Sequence, residues 1–143
     1  MEGGKQAITL MTEPYTFDNK VAGLPRGTRA VYSRQAGVSP RACIVSSLDV
    51  RLTAMENWCR RDCAVALARI GGVQTIIISL YMDIQMEVQP EWLDDLLAMI
   101  DRKKYPVIMG VDSNAHSSMY GPSNNARGSA FEDFILQLSL IHI

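Results

Sequence analysis

Val107-Ile108-Met109-Gly110-Val111-Asp112-Ser113-Asn114-Ala115-His116 is a short apolar run that reaches a glycine and then sets an acid, an amide and an imidazole at alternate positions. In extended backbone the side chains at i, i+2 and i+4 point to one side. Asp112, Asn114 and His116 are therefore expected to converge at the end of a buried strand. Open α/β sheets place their chemistry at that end of their strands.

Upstream of this run, the periodicity predicts a helix that starts at Pro90. Trp92, Leu93, Leu96, Leu97 and Ile100 share one face, Glu91 lies in the first turn, and Arg102, Lys103 and Lys104 close the last turn. Acids near the start and bases near the end both suit the helix dipole. Further upstream, Thr75–Tyr81 carries Ile76-Ile77-Ile78, a continuous β-branched run suited to a strand covered on both faces. Gly71-Gly72 between Asp62–Ile70 and that run predicts a hairpin. Ala7–Met11, Arg29–Ser33 and Ala42–Ser46 are further strand candidates, and 16–29, with Gly23, Pro25 and Gly27, reads as a loop. Downstream, a second helix is expected from about Gly128, with Phe131, Phe134, Ile135 and Leu138 on one face. Strands followed by strand–helix–strand–helix indicate a layered α/β domain over residues 1–143.

Composition narrows the function classes. The 143 residues are 48% hydrophobic and 20% charged, with a net charge of −1. Such a balance argues against bulk electrostatic binding to nucleic acid and leaves room for a local basic patch. Arg26, Arg29, Arg34 and Arg41 fall in the first half and form either such a face or a scattered solvated set. Cys43, Cys59 and Cys63 are odd in number, without CxxC spacing or a histidine beside them, and read as reduced thiols. No apolar run approaches the roughly 18 residues of a membrane span, and the expectation is a soluble, intracellular chain with no membrane partner.

Two acids close apolar runs: Glu13 the first, and Asp112 the last. If those strands are neighbours, two carboxylates meet at one rim, and paired hard oxygens are what Mg²⁺ accepts alongside water and substrate phosphate. Asp112 alternatively orients or deprotonates a water. Asn114 is placed to donate to a developing phosphoryl oxyanion, and Tyr81 ends the strongest strand, within reach of the same rim. Each has a plainer reading as well: a solvated loop acid, a polar turn after a strand, and a core-edge aromatic.

Leu10-Met11-Thr12-Glu13-Pro14-Tyr15 with Gly23-Leu24-Pro25 resembles the "LLQEPY…G-LP" segment of non-LTR (LINE-type) retrotransposon endonucleases. Ser79-Leu80-Tyr81 is similar to that family's strand-end tyrosine motif. Gly110 to Gly121 resembles its "D-x-N-A-H-S-x-x-(W/Y)-G" signature, and Asn125-Ala126-Arg127-Gly128 with Glu132-Asp133-Phe134-Ile135 resembles the tail that follows. Four blocks in order, across most of the chain, are far more specific than any one. The family lies in the endonuclease/exonuclease/phosphatase superfamily, with DNase I and the apurinic endonucleases.

The resemblance implies a four-layered, DNase I-like α/β sandwich and Mg²⁺- (or Mn²⁺-) dependent hydrolysis of DNA phosphodiesters. It makes Glu13 the metal ligand and Tyr81 the contact to the scissile phosphate. Asp112 orients or activates the water, Asn114 stabilises the transition state, and His116 supports the loop. Asn125 and Arg127 fall where a DNA contact is expected; Arg127 also reads as a surface or capping residue. In the parent element the nick primes a reverse transcriptase domain that follows, which would place the work in the nucleus.

Three departures stand out. Thr12 replaces the family's Gln. The Asn-bearing first strand has no counterpart upstream of Ala7, and no Ser-Asp-His block occurs; His142 lies in Leu140-Ile141-His142-Ile143. The expectation is an incomplete domain, truncated at both ends, with little nicking of its own. A catalytically dead α/β binding module and a phosphoesterase of the same superfamily are the competing expectations.

Overall fold

The computed structural model describes residues 6–82 and 90–112. The chain divides into two compact units, one of residues 1–81 and 106–112, the other of 82–105 and 113–143. All strands of the described residues lie in the first.

The first unit begins with β1 (Ile8–Thr12), followed by the two-residue strands β2 (Thr16–Phe17) and β3 (Lys20–Val21), then β4 (Thr28–Val31) and β5 (Ala42–Ser47). β1, β5 and β4 form one antiparallel sheet in that order, with Leu10 opposite Ile44 and Thr12 opposite Ala42. A second sheet has the order β6-β7-β8-β9, from β6 (Leu52–Ala54), β7 (Cys63–Ile70), β8 (Val73–Tyr81) and β9 (Val107–Asp112). A 3₁₀ turn, Glu56–Trp58, links β6 to β7. β7 and β8 are antiparallel around Gly71-Gly72, whose φ values of 57° and 80° are those a two-residue type I′ turn needs. β9 returns parallel to β8, so that Tyr81 is paired with Asp112.

The two sheets stack. Val31, Ala42 and Ile44 of one meet Leu52, Ala64, Ala66, Ala68 and Ile77 of the other in a single apolar cluster, with Ile8 and Leu10 against it. The alternating alanines of β7 present a low surface to the larger Ile44 and Val31. On its other face the first sheet carries Tyr32, Cys43 and Val45, covered by Val21 and Leu24 from the β2–β3 region. The Ile76-Ile77-Ile78 run is fully buried, as a strand covered on both faces requires.

Ser46, 1% exposed on β5, has a hydroxyl with no hydrogen-bond partner among the described residues. A buried orphan hydroxyl costs about 1–3 kcal/mol. Ser46→Ala is therefore expected to leave stability unchanged or raise it by about 1 kcal/mol in urea unfolding; a loss larger than that would show that the hydroxyl is satisfied.

In the second unit, α1 spans Glu91–Lys103. Leu93, Leu96, Leu97, Met99 and Ile100 are buried, so Met99 joins the stripe and Trp92 is only half-buried. The helix ends at Lys104 in left-handed conformation (φ 58°), its amide donating to the Ile100 carbonyl at 3.2 Å.

The main differences from the sequence reading are short elements. Residues 16–29 hold the β2–β3 hairpin, turned by Asp18-Asn19 at φ 52° and 61°. Asp and Asn tolerate this region without glycine, so the turn left no Gly signal. The expected second helix lies outside the described residues.

Candidate active site

β1, β8 and β9 all run toward one rim of the stacked sheets, and β5 and β7, antiparallel to their neighbours, begin there. Residues that end the first three strands and residues that precede the last two are therefore gathered whatever their distance in sequence. Three ties hold β1 against β8 and β9. The Ser79 hydroxyl donates to the Met11 carbonyl at 2.9 Å. Leu10 packs on Gly110, where a β-carbon would fall 2.9 Å from Leu10 Cδ1 and 3.2 Å from its Cβ. The Thr12 hydroxyl lies 3.4 Å from Asp112 Oδ2, to which it donates.

Glu13 follows β1 at this rim and is exposed, with φ +49°. Its amide donates to the Arg41 carbonyl at 2.8 Å, and the buried Pro14 comes next. Tyr81, 7% exposed, closes β8, and its amide donates to the Asp62 carbonyl at 2.8 Å. Asp112 is half-buried at the end of β9. Glu13, Tyr81 and Asp112, singled out on separate strands, thus share one rim. Asn114, His116, Asn125 and Arg127 lie outside the described residues.

Sequence reasoning weighed Arg41 only as part of a basic face and did not connect it, or Asp62, with the rim. Arg41 Nε and Nη2 donate to Asp62 Oδ1 and Oδ2 at 2.6 and 2.7 Å, and its guanidinium carbon stands 4.8 Å from the Tyr81 ring centroid. Both side chains are about four-fifths buried, with 22% and 18% exposure. The signal that would have found them is positional: each immediately precedes a strand antiparallel to one that ends in a candidate residue. Thr12, noted only as a departure, is the group that touches Asp112. The four arginines weighed as a basic face do not all lie together. Arg41 belongs to the rim, Arg34 stacks on Tyr32 at 4.3 Å, and Arg29, at the other end of the sheets, donates to the Leu48 carbonyl at 3.1 Å.

Two exposed or half-exposed carboxylates at one rim fit Mg²⁺, which is held through one or two carboxylates and completes its shell with water and phosphate. Asp62 is committed to Arg41, and among the described residues no three acidic, histidine or cysteine side chains are close enough to hold an ion by themselves. The cysteines offer nothing to the rim. All three are free, and burial pushes the Cys43 thiol up to about 12, so it stays protonated at neutral pH. An apolar recess lined by Ile8, Val50, Ile70 and Ile108 lies at the opposite end of the sheets. Among the described residues no helix is long and apolar enough to cross a membrane.

Compared with solved structures, the chain superposes on the endonuclease domain of TRAS1, a telomere-specific non-LTR retrotransposon, with a TM-score of 0.68 and 22% identity over 94% of its length. It has the fold of that endonuclease domain. At this identity the likeness concerns the path of the backbone, and the chain spans 58% of the TRAS1 domain's length. No family model and no curated protein matches the sequence. The backbone path that superposes includes one antiparallel sheet and one mixed sheet, in which β9 returns parallel to β8.

Proposed function

We propose that the chain is part of a retrotransposon-type endonuclease domain, within a four-layered DNase I-like sandwich, that hydrolyses DNA phosphodiesters with Mg²⁺ or Mn²⁺ and nicks target DNA to prime reverse transcription by a domain of the parent protein. The observation that carries this reading is the meeting of Glu13, Tyr81 and Asp112 at one rim of that fold, with Thr12 hydrogen-bonded to Asp112.

Phosphodiester hydrolysis joins a water oxygen to phosphorus and breaks the bond to the leaving sugar oxygen. It needs a directed water, charge on the phosphate oxygens and donors where negative charge grows. The carboxylate of Glu13 would hold the divalent ion, which when bound would neutralise charge on the phosphate. Asp112, oriented by the Thr12 hydroxyl, aligns the attacking water and accepts its proton. The Tyr81 hydroxyl donates to the scissile phosphate, and Asn114 donates to the equatorial oxygen as charge builds. His116 supports the loop that bears Asn114, and Asn125 and Arg127 contact the flanking DNA backbone. The 143 residues contain no Ser-Asp-His block. Without that histidine to protonate the leaving oxygen, nicking by these residues alone is slow.

The test pairs binding with cleavage. The chain is expected to bind a DNA duplex more tightly in Mg²⁺ than in EDTA, and to nick supercoiled plasmid slowly and only with the ion. Glu13→Ala should remove the Mg²⁺-dependent gain in affinity, and Asp112→Ala should keep most of that gain while nicking falls to background. Equal nicking by wild type and Asp112→Ala would overturn the role given to Asp112. A Mg²⁺-dependent gain with no nicking at all would favour the binding-module reading.

A further inference from the structure

We infer that Arg41, clamped by Asp62, is a positioning residue that aims the Tyr81 hydroxyl at the phosphate. The inference deepens the function proposed above and rests on its reading of Tyr81.

Arg41 and Asp62 form a two-pronged bond, 2.6 and 2.7 Å, in which both carboxylate oxygens are used. A fork of that kind fixes the plane of the guanidinium, which a single contact does not. The plane is set 4.8 Å from the centre of the Tyr81 ring, a cation over an aromatic face. The backbones of the same two residues reach the same two partners: the Arg41 carbonyl takes the Glu13 amide, and the Asp62 carbonyl takes the Tyr81 amide, each at 2.8 Å. Arg41 lies on the sheet of β1 and Asp62 on the sheet of β8, so their side-chain bond crosses between the sheets. It locks the Glu13 strand end to the Tyr81 strand end. A tyrosine with 7% exposure has few ways to move its ring, and the guanidinium removes tilt about the axis that would swing the hydroxyl along the rim.

The experiment is a double-mutant cycle on affinity for a short DNA duplex, with Ca²⁺ in place of Mg²⁺. Tyr81→Phe is expected to weaken binding about tenfold, and Arg41→Gln by a similar factor. The double variant should be no weaker than either single, because without the hydroxyl there is nothing left to aim. Arg41→Lys should fail to restore affinity, since a point charge cannot hold the fork and the ring together. The exchanged pair, Arg41→Asp with Asp62→Arg, should regain thermal stability without regaining affinity. Where Arg41→Gln does not fold, Arg41→Lys takes its place in the cycle.

Losses that multiply in the double variant would overturn the inference and make Arg41 a phosphate contact in its own right. So would recovery of affinity in the exchanged pair, which would leave only a structural bridge. Those results spare the reading of Tyr81. Unchanged affinity in Tyr81→Phe would overturn that reading and this inference together.

Discussion

Glu13→Gly is expected to hold or gain stability while losing affinity for the divalent ion by more than tenfold. Glu13 sits at φ +49°, a region that costs a residue with a β-carbon about 1–2 kcal/mol. The position is worse than average because the next residue is Pro14, and a residue before proline is pushed toward extended backbone. What keeps it there is the bond from its amide to the Arg41 carbonyl and the burial of Pro14. Glycine adopts this backbone freely but loses about 0.5–1 kcal/mol of chain entropy on folding. The net is a change from zero to about 1 kcal/mol in favour of the variant. Glu13→Ala keeps the strain and should be less stable than Glu13→Gly, the reverse of the usual order. Both lose the carboxylate. Unit charges 4 Å apart interact by about 1 kcal/mol even in bulk water, twice that for a divalent ion, and about 1.4 kcal/mol is tenfold. Urea unfolding and Mn²⁺ binding by electron paramagnetic resonance measure the two effects separately. A glycine variant less stable than the alanine variant would show that the backbone stores no strain, and unchanged Mn²⁺ affinity would remove Glu13 from the metal site.

Gly110→Val should lower stability by about 3 kcal/mol and Gly110→Ala by about 1–2. Strand propensity argues the other way, since valine suits a strand and glycine does not. The tertiary contact decides: an added Cβ lies 3.2 Å from Leu10 Cβ, which cannot rotate away, and 2.9 Å from Cδ1. To admit it, β1 must withdraw from β9. That withdrawal also carries Thr12 away from Asp112, so nicking falls with stability. In a chain of this size about 3 kcal/mol corresponds to a drop of roughly 10 °C in Tm. Leu10→Ala should recover part of the loss in the Gly110→Val background. Fully additive losses would mean that the two residues do not meet.

The signals that proved legible in the sequence were periodic or local. The continuous Ile76-Ile77-Ile78 run marked a doubly covered strand, Gly71-Gly72 marked its hairpin, and Pro90 with the stripe to Ile100 marked α1, because each depends on neighbours in the chain. β6 and the β2–β3 hairpin did not show, since two or three residues have no period. At the site, Glu13, Tyr81 and Asp112 were visible as polar residues at strand ends and as members of resembling motifs. Arg41 and Asp62 were not, because a rim is shared by strands that end there and strands that begin there. Only the pairing of β5 with β1 and of β7 with β8 brings them in.

By itself the sequence determined the longer strands and the helix, and which side chains carry hard oxygens or a phenol, because backbone preference and functional group are properties of each residue and its near neighbours. The tertiary structure decided what meets what: Leu10 on Gly110, Thr12 on Asp112, and Arg41 between Asp62 and the Tyr81 ring. Those contacts join residues from 21 to 100 positions apart. They follow from the register and stacking of two sheets, which close packing of the whole apolar layer selects and no local pattern encodes.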